Sequence, residues 1–165
     1  MSDVYVECLV AAGRSKASKM IVIGLAALTV VFAFVMLFVN AAALLLAIVT
    51  GVAAYFVNVY SYVEYEYLYL DKEITVDKIL AQSRRRRVAT YSLDRMEMFA
   101  PVKSWHLDQF KSRDVKTFDY SAGEGQEPDG RYAMYYEGGA RVLFNPSEEF
   151  VKALFNAAPR KVFQD

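Results

Sequence analysis

Residues 20–63 form a run of 44 without one Asp, Glu, Lys or Arg. A bilayer core of ~30 Å is crossed by about 20 apolar residues of helix rising ~1.5 Å each. The run is too long for one crossing and right for two joined by a tight turn. The turn falls at Asn40, in "LFVNAAALLL", which places the spans at about 20–39 and about 42–62. "IVIGLAALTVVFAFVMLFV" is dense in Ile, Leu, Val and Phe, the side chains that favour insertion. The second span is richer in alanine. Its Ala43, Ala47 and Gly51 recur every four residues, a small-residue face on which helix backbones approach closely in lipid. The first span is the expected partner of that face, and a second copy of the chain could use it to form a homo-oligomer.

Two other uses of such a run fail on length. A secretory leader has an apolar stretch of about 7–15 residues before its small-residue site, and here the stretch before "NAAA" is longer and a second one follows. A soluble domain built from residues 63–165 has too little surface to wrap two helices that are apolar all round. Orientation follows from the flanks. Arg14, Lys16 and Lys19 precede the first span, the Asn40 turn is uncharged, and Lys and Arg abound after the second. The chain is therefore expected in the cytoplasmic membrane as a multi-pass protein with both termini cytoplasmic. Tyr55, Tyr60 and Tyr62 make an interfacial belt, and Asn58 reads as a hydrogen bond between helices. No Asp, Glu, Lys, Arg or His lies inside either span, so an ion path has no carrier there.

Beyond the spans the chain carries 16 basic and 17 acidic residues. "YVEYEYLYLDKEITVDKIL" changes to period two: Tyr65, Tyr67 and Tyr69 share one face, and Ile74 and Val76 resume the pattern after Asp71-Lys72. This hairpin leaves the membrane and returns, so Arg84, Arg85, Arg86 and Arg87 in "SRRRRVATYSL" are expected at a strand turn near the anionic leaflet. Basic residues there contribute about 1 kcal/mol each. Two readings stand: contact with lipid or another anion, or a solvated turn that discourages edge-to-edge pairing. Nucleic acid is not expected as a partner, because a near-neutral domain lacks the broad basic face that duplex binding needs.

"RVATYSLDRMEMFAPV" reads as a third strand ending at Pro101, and "KSWHLDQFKSRDVK" as a polar loop or short helix. Strands around 118–120, 131–137 and "ARVLF" follow, giving about six in all, with turns at Gly123-x-Gly125 and Gly138-Gly139. The closing helix is expected at about 146–157, with Asn145 as N-cap, Pro146 first and Glu148 completing a capping box. Its apolar face is Phe150, Val151, Leu154 and Phe155, and Pro159 ends it. Cys8, the one cysteine, reads as an inert apolar position, and His106, the one histidine, as structural. Neither stands in a pattern that suggests a metal, a cofactor or a catalytic group, and residues 1–13 fit a strand or an interfacial helix equally.

The apolar hairpin, "YEYLYLDKEITVDKI", "RRRRVATYSLDRMEMFAP" and "RVLFNPSEEFVKALFNAAPRKV" resemble the bacterial pleckstrin-homology-like (PH-like) membrane proteins, and most of all an uncharacterised family of that layout. The resemblance covers nearly the whole chain. It implies an α+β membrane protein: a cytoplasmic segment 1–19, a two-helix transmembrane hairpin at 20–62, and a mostly antiparallel β PH-like domain at 63–165 with a C-terminal helix. It supplies no catalytic residues. The expected role is a membrane-anchored binding or scaffold protein, not an enzyme, whose domain docks a protein partner or an anionic lipid surface. A membrane enzyme and a small transporter or channel subunit are the alternatives.

Overall fold

The computed structural model describes residues 5–13, 16–123 and 129–164. The chain divides into two units: Gly13–Val63 with Leu80–Ser83, and the residues up to Ala12 with Glu64–Ile79 and those from Arg84 onward.

The first unit is the apolar pair, α1 (Lys16–Phe38) and α2 (Ala43–Tyr60). α1 starts before the uncharged run does, because backbone hydrogen bonding continues into residues such as Lys19 that the apolar pattern excludes. The turn sits where Asn40 suggests. Its Oδ1 accepts the Ala42 N–H at 2.8 Å and its carbonyl accepts the Ala43 N–H at 3.1 Å. The helices pack together, and the Thr29 and Thr50 hydroxyls meet across them at 3.0 Å. Protein covers little else. Ala43 and Ala47 are the buried residues of α2, while Met20, Phe38 and Leu45 stand about 70–80% exposed. Both helices are long and apolar enough to cross a membrane. Left uncovered, they are not the core of a water-soluble fold.

The second unit is built from two four-stranded sheets. β1 (Val6–Gly13), β2 (Val63–Leu70), β3 (Glu73–Leu80) and β4 (Arg84–Ser92) lie side by side in that order. β5 (Met96–Pro101), β6 (Lys116–Asp119), β7 (Tyr132–Tyr136) and β8 (Ala140–Phe144) form the other, in the order β5-β7-β8-β6. β7 is antiparallel to both β5 and β8, whereas β6 runs parallel to β8. α3 (Glu148–Ala157) completes an α+β unit.

The described residues form eight strands where the sequence suggests about six. Residues 6–13, placed by sequence in a separate segment, are the edge strand of the first sheet, because Val6, Cys8 and Val10 alternate onto the core. The hairpin α1–α2 is thus inserted within the β domain, between neighbouring strands, and does not simply precede it. The stretch read as one third strand is two, β4 and β5. A 3-10 turn at Leu93–Arg95, with the Ser92 Oγ accepting the Asp94 N–H, carries the chain from one sheet to the other.

One core joins both sheets and α3. Tyr67, Ile74, Val76, Phe99, Phe144, Phe150 and Leu154 have no exposed surface. Phe144 meets Tyr67 edge-on at 5.1 Å, and the Tyr67 hydroxyl donates to the Tyr120 carbonyl, so the polar end of this buried ring is satisfied. The α3 cap differs from the sequence reading by two residues. Ser147 is the N-cap, its hydroxyl accepting the Phe150 N–H at 3.2 Å, while the Asn145 Oδ1 is engaged by the Ala122 N–H. The buried face is Phe150, Val151, Ala153 and Leu154; Phe155 lies off it, 40% exposed, because it follows Leu154 by only one position.

Candidate functional site

Successive side chains of a strand point to opposite faces. Cys8, Tyr67 and Val76 face the core, so Glu7 on β1, Glu66 on β2 and Asp77 on β3 project from the other side of the first sheet. Arg85 and Arg87 of β4 reach across to them. The Arg85 Nη2 lies 2.6 Å from the Glu66 Oε1, and the Arg87 Nε lies 3.6 Å from the Asp77 Oδ1. Both carboxylates are buried, at 2% and 5% exposure, while both guanidinium groups remain more than half exposed. Ala89 and Tyr91 of the same strand pack into the core, so odd-numbered residues at the two ends of β4 serve opposite faces.

The run of four arginines is therefore two kinds of residue. Arg85 and Arg87 are internal counterions that a buried carboxylate needs. Arg84 and Arg86 are exposed and, among the described residues, form no ion pair. All four lie at the start of β4, directly after the turn at 81–83.

The electrostatics follow from this packing. Burial raises the pKa of Glu66, and its hydrogen bond with Glu7 raises it further; Arg85 pulls the other way. Glu7 is lowered, first by that same hydrogen bond and then by the Tyr5 hydroxyl, which donates to its Oε2 at 2.9 Å. Glu7 lies before the helical hairpin in sequence and Glu66 after it, so the two carboxyl groups sit on the neighbouring strands between which the hairpin is inserted.

The other residues singled out by sequence fall as follows. Ala43 and Ala47 are buried at the start of α2, and a Cβ added at Gly51 would stand 3.5 Å from the Thr29 Cγ2 of α1. The small face is thus turned to the chain's own first helix. His106 is stacked between Trp105 and Phe163, with ring centroids 3.8 and 3.7 Å away. Cys8 is buried, and its Sγ accepts the Ser147 N–H at 3.3 Å, tying β1 to the cap of α3. Arg14 and Gly125, named above for orientation and for a turn, lie outside the described residues.

Sequence reasoning missed the counterions. Period two alone puts Glu66 and Asp77 on the face away from the tyrosines, but nothing local says that this face is covered, and the pairing with β4 spans 19 residues for Arg85 and Glu66.

The family model described as a bacterial PH-like domain (DUF6106) matches residues 2–164, the inserted helices included. No curated protein and no solved structure matches the chain. The chain belongs to this bacterial PH-like family.

Proposed function

We propose that this member of the bacterial PH-like family is a membrane-anchored binding module, a scaffold whose domain docks a protein partner at the cytoplasmic leaflet of the cell membrane. One observation carries the reading. A domain that buries its own core is joined, through two adjacent strands, to a helical pair whose apolar side chains no protein covers. The spans hold the domain at the leaflet, both termini lie in the cytoplasm, and the domain surface is free to recruit.

Arg84 and Arg86 have the lesser part. Beside an anionic leaflet they contribute about 1 kcal/mol each, enough to bias the domain's orientation and small beside two inserted helices. Chain connectivity favours lipid as their anion. The β3–β4 connection just before Arg84 belongs to the helical unit, its Ala81 N–H donating to the Tyr62 carbonyl at 3.2 Å.

Crosslinking in intact membranes followed by affinity capture of the full chain tests the reading. Recovery of one partner in fixed ratio to the chain is expected, with the Arg84→Glu/Arg86→Glu variant still membrane-bound. Recovery of the full chain from the soluble fraction, or cleavage of the domain by protease added outside spheroplasts, overturns it.

A further inference from the structure

The end of α2 carries a cavity that docking a protein does not use. It holds about 300 Å³ and is lined by Asn58, Val59, Tyr62, Ala81 and Gln82, all within the helical unit. Residues 58–62 are the last turn of α2 and its exit, the depth at which a span meets lipid headgroups. Tyr55 and Tyr60, 65% and 54% exposed, mark the same depth, where amphipathic rings are favoured. The opposite wall is the β3–β4 connection. Besides the bond from Ala81 to Tyr62, the Ser83 N–H closes this turn on the Leu80 carbonyl at 3.2 Å. Ala81 and Gln82 both take left-handed backbone, at φ 51° and 56°. That conformation is sparsely populated without glycine, and here it brings Gln82 to the rim of the cavity.

The lining carries no charged side chain. Gln82 brings a primary amide and Tyr62 a phenol hydroxyl as donors, beside the apolar Val59 and Ala81. This is the complement of a glycerol phosphodiester, whose ester and phosphate oxygens only accept, set above acyl chains. The exposed Val52 and Phe56 on α2 continue an apolar surface from the cavity along the helix. The volume is at the lower end for small-molecule sites of about 300–1,000 Å³, which suits the glycerol phosphate portion and leaves the chains outside.

We propose that this cavity is a stoichiometric binding site for one glycerophospholipid of the leaflet, its phosphodiester and ester oxygens held by Gln82 and Tyr62. The site rests on the membrane-anchored reading and goes beyond it. Arg84 and Arg86 respond to any anionic surface, whereas this cavity holds a single molecule and distinguishes a phosphodiester from a neutral diacyl glyceride.

Native mass spectrometry of the full chain in detergent, titrated with dioleoyl phosphatidylglycerol, tests it. One molecule per chain is expected at saturation, with about tenfold weaker retention of dioleoylglycerol, a difference near 1.4 kcal/mol. Soluble glycerol phosphate is expected not to displace the lipid. Gln82→Glu, at an exposed position and nearly isosteric, sets a carboxylate against the phosphodiester and is expected to abolish retention. Tyr62→Phe should weaken it, and Arg84→Glu/Arg86→Glu should leave the ratio of one intact. Binding without saturation, equal retention of dioleoylglycerol, displacement by glycerol phosphate, or a Gln82→Glu variant that still retains one molecule would each overturn the proposal. Flotation of the same preparations with liposomes reads anchoring separately, so loss of the membrane-anchored reading is not mistaken for loss of the site.

Discussion

Met20, Ile23, Phe38 and Val39 in the helical unit are 68–79% exposed, while Tyr67, Ile74, Phe99, Phe144 and Phe150 in the β unit are 0% exposed. The two regions draw on the same class of side chain and place it in opposite ways. In the β unit, apolar surface leaves water by packing against itself, each Å² contributing roughly 25 cal/mol. In the helical unit the apolar surface stays outward, on two helices long and apolar enough to cross a membrane. Polar groups divide likewise. The helices satisfy their backbones internally and place a threonine pair between them, whereas the β unit sustains an ion pair between the buried Glu66 and the exposed Arg85.

This contrast breaks first at the core. Phe144→Ala removes a ring that meets Tyr67, Tyr91, Phe99 and Tyr120, and should cost the β unit ~3–5 kcal/mol. Hydrogen exchange resolved along the chain is expected to show faster opening of both sheets with helical amides unchanged. Equal loss in both regions would mean that they fold as one. The reverse experiment is Ala47→Leu, which overfills the buried start of α2 and should destabilise the helix pair by ~1–3 kcal/mol while leaving domain unfolding in place. Within the β unit, Arg85→Ala strips a buried carboxylate of its counterion and should cost ~1–3 kcal/mol, against under ~0.5 for Arg84→Ala, as read by denaturant midpoints.

The smallest effect is a slope with pH. Because the folded pKa of Glu66 is raised, the folded chain holds that proton more tightly than the unfolded one. Stability therefore falls as pH rises from the ordinary carboxyl value of 4.5 through the raised one, and levels off above it. Glu7, lowered, acts in the other direction and in a lower window, losing its contribution as pH falls below 4.5. Glu66→Gln should flatten the decline above pH 4.5 in thermal unfolding series; an unchanged slope would assign the proton elsewhere.

What the sequence reveals of this fold is what short-range pattern encodes. The uncharged run and Asn40 place α1, the turn and α2 within a few residues, since lipid imposes one requirement on every position. The alternating tyrosines and Asp71-Lys72 give β2 and β3 because period two is local. β1 stays undecided between strand and interfacial helix because eight residues of mixed polarity acquire meaning only beside β2, more than fifty positions on. The split of β4 from β5 escapes notice, as Leu93 and Met96 are apolar enough to continue a strand, and only the change of sheet shows the break. For the site, the four arginines are conspicuous, yet which two lack an ion pair among the described residues depends on carboxylates from β2 and β3. The cavity at the end of α2 has no linear signature, because its walls meet through one backbone bond between Tyr62 and Ala81.

Insertion of the hairpin between β1 and β2 also sets a timetable for synthesis. β1 leaves the ribosome first, yet its neighbour appears only after both spans have been made, several seconds later at about 5–20 residues per second. Its bond with the start of α3, where the Ser147 N–H meets the Cys8 Sγ, closes across 139 positions, well after both spans have been made. Until then a strand with an open edge waits at the membrane surface, so the nascent chain is most vulnerable to mispairing while its helices are being delivered to the bilayer.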